Sequence, residues 1–152
     1  MKGLLIILFF LISTIAYSQN KNYVCVSTGV FFNSPISDWR NTLGASVEYG
    51  RYLKSGISIG LNFGYWSLLS GYEYNGLKIS FPLLSNDYYS LSISGGGSYF
   101  YHFKDALFEY DFNANIYLSK DKNTSLALNY CRQSGLGYSS AESFNFGINK
   151  DF

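Results

Sequence analysis

Residues 88–103, YYSLSISGGGSYFYHF, alternate with a period of two. One parity carries Tyr89, Leu91, Ile93, Gly95, Gly97, Tyr99, Tyr101 and Phe103; the other carries Tyr88, Ser90, Ser92, Ser94, Gly96, Ser98, Phe100 and His102. Such alternation marks a β-strand with two unlike faces. The polar face is small and nearly uncharged, while the other is greasy with aromatic ends. A strand with hydrocarbon on one side and small polar groups on the other reads this way.

The same pattern recurs until the chain divides into eight strands. They are predicted over residues 23–32, 42–53, 57–66, 76–84, 88–103, 106–118, 124–133 and 143–152. The third sets Ile57, Ile59, Leu61, Phe63 and Tyr65 against Ser58, Gly60, Asn62 and Gly64. The sixth sets Phe108, Tyr110, Phe112, Ala114 and Ile116 against Glu109, Asp111, Asn113 and Asn115. Polar, Gly-rich or Pro-containing stretches separate them. Those after the first, third and seventh strands are long (33–40, 67–75, 133–142), and those after the second, fourth and sixth are tight (54–56, 85–87, 119–123). Short turns at one end and longer loops at the other suit an all-β, antiparallel up-and-down transmembrane barrel. The fifth connection, a two-residue turn at Lys104 and Asp105, breaks the rule. Its 16-residue strand exceeds the about 9 to 11 residues needed to cross, so this hairpin is expected to project beyond the lipid.

Composition narrows the alternatives. Charged residues make up 14% of the chain and aromatics 20%, with 15 Tyr and 13 Phe; an ordinary soluble domain is about 25% charged. A soluble lipocalin-like barrel would turn its apolar rows inward and leave a Ser, Gly and Asn surface with little charge to solvate it. A net charge of +1 with no basic cluster gives no footprint for nucleic acid.

At the start, Lys2, the apolar run Leu4 to Ile12 and the small residues Ala16 and Ser18 form a signal peptide over residues 1–18, with cleavage expected before Gln19. The remaining 19–152 form one barrel domain. Export permits a disulfide, but Cys25 and Cys131 fall at different heights of their strands, so they are expected to stay unpaired.

The alternating strands, the Ser18-Gln19 junction and the last strand ending Phe144, Phe146, Ile148, Phe152 together resemble small eight-stranded outer-membrane β-barrels. These are the OmpX and OmpA-transmembrane type and the outer-membrane β-barrel domain proteins of Bacteroidetes type. The resemblance covers the whole mature chain, and Lys150 departs from its terminal pattern. It implies a bacterial outer-membrane location reached by the general secretory route, contact with lipid and lipopolysaccharide, and recognition of the strand ending at Phe152 by the barrel-assembly machinery. It implies no particular activity.

An eight-stranded barrel is just wide enough to be filled by side chains. The inward parity carries Glu48, Lys78, Glu109 and Asp111 with Asn113, Asn115, Asn129 and Asn145, read as a structural polar plug. Arg51 and Arg132 fall on the lipid parity near strand ends, where they can snorkel. A second reading is a lipid-modifying enzyme. With the two-residue turn, His102 faces Leu107, Phe100 faces Glu109 and Ser98 faces Asp111, so that Ser98, His102 and Glu109 or Asp111 form a nucleophile, base and orienter. Lipid A deacylases place His and Ser two residues apart; here the spacing is four. A third reading is a surface-binding role through Trp39, Tyr72, Tyr74 and Tyr138 in or beside the long loops, which otherwise form an interfacial girdle. No Cys/His spacing for a metal and no phosphate-binding glycine loop occurs, so no cofactor is expected.

Overall fold

The computed structural model describes residues 21–33, 43–53, 55–66, 72–101, 105–135 and 141–152. The segment 1–20, with its expected cleavage site, lies outside them. Eight antiparallel strands form one closed barrel: β1 (Asn22–Asn33), β2 (Leu43–Tyr52), β3 (Ser58–Trp66), β4 (Tyr72–Ser85), β5 (Tyr89–Phe100), β6 (Asp105–Tyr117), β7 (Thr124–Gly135) and β8 (Ala141–Asp151). Each strand pairs with its sequence neighbours, and β1 closes on β8 from Tyr23↔Asp151 to Asn33↔Glu142. Every strand has a paired neighbour on both sides, so through the middle of the wall backbone donors and acceptors are satisfied between strands, as hydrocarbon requires.

Sidedness follows the parity of the sequence. Ile93, Phe112 and Phe146 are 44%, 44% and 55% exposed and point outward with Val47, Leu61, Phe63, Leu77, Phe108 and Ile148. Ser58, Asn62, Lys78, Ser94, Ser98, Glu109, Asp111, Ser125 and Ser143 are buried in the lumen. The apolar rows thus form the outer wall, which overturns the lipocalin-like alternative and makes the chain a membrane-spanning barrel.

Three expectations change. β4 begins at Tyr72, four residues before the predicted Gly76, because the alternation inverts at the rim. There Glu73 lies exposed on the outer parity while Tyr74 is buried inside. Beyond the hydrocarbon an outward carboxylate costs little, so hydropathy no longer marks the outer face.

The β5–β6 register also differs. Phe100 pairs with Asp105, Ser98 with Leu107, Gly96 with Glu109 and Ser94 with Asp111, so the connection is residues 101–104 rather than Lys104 and Asp105. Both registers keep the same faces inside, since only an odd slip flips a strand. The observed one puts a serine hydroxyl within reach of each carboxylate; the expected one would have set Glu109 against Phe100.

Finally, β5 is 12 residues long, not 16, and β4 and β6 have 14 and 13. The overhang is at the opposite end. β4 last pairs with β3 at Ser80↔Ser58 and continues to Ser85 beside β5 alone, through a bulge between Pro82 and Leu84. Proline at this uncovered edge removes a donor that would have no partner.

Candidate functional site in the barrel lumen

Asn113, Asn129 and Asn145 are directly paired across β6, β7 and β8, and period two turns all three inward. Asn145 Nδ2 donates to Asn129 Oδ1 at 2.7 Å, Asn129 Nδ2 to Asn113 Oδ1 at 2.6 Å, and Asn113 Nδ2 to Ser94 Oγ at 2.7 Å. Ser94 Oγ then donates to Asp111 Oδ2 at 3.2 Å. Lys78 on β4 completes the belt, its Nζ 2.6 Å from Asp111 Oδ2 and 3.6 Å from Glu48 Oε2 on β2. A chain of hydrogen bonds therefore runs from β8 through β7, β6 and β5 to Asp111, and ion pairs of Lys78 carry it across the lumen to β2. Asn115 lines the lumen on the turn side of Asn113.

Above the belt, Glu109 Oε1 accepts from Ser98 Oγ at 2.7 Å and from Gln133 Nε2 at 2.7 Å. Ser98 is 2% exposed and its hydroxyl is turned to this carboxylate, inside the wall and away from lipid. The expected pairing of Ser98 with Asp111 is replaced by Ser94 with Asp111. His102 lies outside the described residues, as do Trp39 and Tyr138. In this arrangement Glu109 clamps Ser98 and Gln133 together across β5, β6 and β7.

Two inward tyrosines that parity alone does not flag are also buried in the lumen. Tyr23 is buried on the inward parity of β1, and its hydroxyl donates to Glu48 Oε1 at 2.5 Å. Its ring lies over Gly50, and its hydroxyl lies over Gly60 together with the Glu48 carboxylate, so that a Cβ at either glycine would collide. Tyr74 lies in the same way over Gly64 at the loop end. Tyr23 stands 4.9 Å from Tyr52, ring centre to ring centre. A signal for these contacts exists in the sequence: inward glycines lie on strands adjacent to an inward tyrosine, leaving the volume that its ring fills.

A cavity of about 360 Å³ runs along the lumen, lined by Tyr23, Cys25, Glu48, Asn62, Lys78 and Asn149 among others, reaching the turn end at Ser85, Ser90 and Asp151 and the loop side at Tyr74, Glu109 and Gln133. Cys25 is a half-buried free thiol and Cys131 a buried one. Arg132 is exposed opposite Glu142, and Arg51 is half-buried near the end of β2. No group of three or more metal-ligating side chains occurs among the described residues.

No family model and no curated protein matches the sequence. Solved structures do match. The chain is similar to the N-terminal β-barrel domain of Pseudomonas aeruginosa OprF, at 13% identity and TM-score 0.68, over 88% of this chain and 98% of that one. The fold is that of the small outer-membrane barrels. The outer-membrane protein Ail of Yersinia pestis matches at 10% identity and TM-score 0.60, over 88% and 100%. The outer-membrane enzyme PagL matches at 12% identity and TM-score 0.59, over 84% and 98%. At such identities the likeness speaks for the barrel alone, and its activity has to be argued from the lumen and the outer surface.

Proposed function

We propose that the chain is a small integral protein of the bacterial outer membrane, with a closed lumen and a structural or surface-binding role. The observation that carries this is the belt from Asn145 to Asp111 and across to Lys78 and Glu48, which fills the middle of the lumen with side chains that are bonded to one another. Support for the location comes from the apolar outer wall and from the similar barrels, which are outer-membrane proteins. The two named partners remain those of the sequence: lipid and lipopolysaccharide around the wall, and the barrel-assembly machinery at the β8 strand ending in Phe152. External partners would meet the loops, as befits a chain similar to an attachment protein.

The role is tested in two steps. Refolded protein in a planar bilayer should give no steady conductance; open-channel currents would contradict a closed lumen. Cells carrying the chain with residues 67–71 and 136–140 shortened should then lose surface adhesion if the loops bind, and retain it if the role is structural.

A further inference from the structure

β5 carries two glycines, Gly95 and Gly97, on its outward parity between Ile93 and Tyr99. A Cβ built on Gly97 would meet only the Leu107 carbonyl oxygen at 3.7 Å, and one on Gly95 only the Glu109 carbonyl oxygen at 3.9 Å. The inward glycines differ, since at Gly29, Gly64, Gly96 and Gly147 a Cβ would collide with the opposing wall or ring. Packing within the chain accounts for those four and not for the outward pair. Glycine inside a strand marks a bulge, a bend or the close approach of a ligand. The β5–β6 ladder runs unbroken from Tyr89 to Phe100, and the bulge of the β4–β5 ladder lies away at Pro82 and Leu84.

The ladders set Leu77 and Phe108 on either side of Gly97, and Ile79 and Tyr110 on either side of Gly95. Two bare positions between two columns of large side chains make a trough along the outside of β5. At its loop-side end a hollow of about 380 Å³ opens, bordered by Leu61, Phe63, Leu77, Gly97, Tyr99 and Ala106. The rim of this hollow is polar. Asn75, on the outward parity of β4, donates from Nδ2 to the Tyr101 hydroxyl at 2.6 Å, and the Tyr101 ring stands edge-on to Tyr99 with centres 5.5 Å apart. A phenol that accepts such a bond keeps its own hydrogen to donate. The trough is thus apolar toward the middle of the wall and hydrogen-bonding at the loop end, the order of tail and head in an amphiphile. Ser98 also borders the hollow, but its hydroxyl donates inward to Glu109 and is turned away from whatever the trough holds.

We propose that this trough seats one acyl chain of lipopolysaccharide, with the sugar end of the molecule toward Asn75, Tyr99 and Tyr101. The trough is continuous with the apolar outer wall, so its occupant comes from the hydrocarbon. Within hydrocarbon a chain is held by dispersion contacts, and a trough touches it on three sides where a flat wall touches it on one. A second barrel would present a convex wall, which meets the rims before the floor. The loop end carries the long connections after β1, β3 and β7 and so faces outward. The choice of lipopolysaccharide rests on the outer-membrane reading proposed above, in which it surrounds that end, and the neutral amide and phenols suit sugar hydroxyls and acyl carbonyls.

Native mass spectrometry tests this on the protein purified from membranes in neutral detergent and offered deep-rough lipopolysaccharide and phosphatidylethanolamine in equal amounts. One lipopolysaccharide per barrel should be retained, at least tenfold less in Gly95→Leu and in Gly97→Leu, and undiminished in Val47→Leu, which enlarges an outward residue of β2. No retained lipopolysaccharide, phosphatidylethanolamine retained equally, a lipid-free dimer, or full retention in both leucine variants would overturn the proposal. A Cβ at either glycine meets nothing closer than 3.7 Å, so heat-modifiable electrophoretic mobility should show both variants folded; if one is not, the other decides. Cell fractionation keeps the two readings apart: a barrel found outside the outer membrane that still retains lipopolysaccharide would sink the location alone, and an outer-membrane barrel that retains none would sink this proposal alone.

Discussion

Lys78 is the residue on which the interior turns. A buried ammonium is tolerated when carboxylates meet it, and removing one partner of such a set leaves an uncompensated charge that costs about 3–5 kcal/mol. Lys78→Met should therefore destabilise the barrel by about 3–5 kcal/mol in urea unfolding from detergent micelles, because Asp111 and Glu48 lose their counterion. The double variant Lys78→Met with Asp111→Asn should recover part of that loss. An unchanged midpoint in the single variant would mean that the ion pair does not form. The inward position of Lys78 was legible from its alternation with Leu77 and Ile79, but its partners were not, since they sit two strands away on either side. The same limit hid Tyr23 and Tyr74: an aromatic on a polar parity resembles an interruption until Gly50 and Gly64 are seen beneath the rings.

Between elements, period two fixes which face is inside but leaves register open to slips of two or four residues. That is why the strand count and all eight approximate positions could be read, while the β5–β6 hairpin was placed four residues out of register. Ser94 with Asp111 and Ser98 with Glu109 select the observed register through hydrogen bonds that hydropathy does not encode. Cysteines placed at Tyr99 and Ala106, which are ladder partners on the outer face, should crosslink in a background lacking Cys25 and Cys131. Cysteines at Tyr99 and Tyr110, partners in the other register, should not; efficient crosslinking of that second pair would refute the assigned register.

The turn-end connections are joined by another contact. Lys122 Nζ donates to Asp87 Oδ1 at 2.8 Å, linking the β6–β7 turn to the β4–β5 turn. This hydrogen bond, and then the charge of Lys122, hold the Asp87 carboxyl below the usual carboxylate range. A lowered value in the folded state means that the contribution is present above the unfolded value of about 4 and lost as pH falls through the folded one. The difference in urea midpoint between the parent chain and Lys122→Met should be small at pH 6 and vanish by pH 2. A difference that grew on acidification would have the wrong sign for this pair.

For the whole molecule, the decisive property is which surface meets hydrocarbon. The alternation of apolar with Ser, Gly and Asn positions already implied an inside-out arrangement, and the scarcity of charge weighed against the soluble one that the outward apolar rows overturn. What the composition left undecided was the interior, where chemistry depends on distances between strands remote in sequence. The most direct test places nitroxide labels at Ile93→Cys and Phe112→Cys, and at Lys120→Cys in the β6–β7 turn, and reconstitutes the protein in phospholipid bilayers. Labels at the first two sites should collide with oxygen and be shielded from a water-soluble nickel chelate, while the label at Lys120 should show the reverse. Chelate collisions at Ile93 and Phe112 as frequent as at Lys120 would place those positions in water and contradict the membrane-spanning barrel.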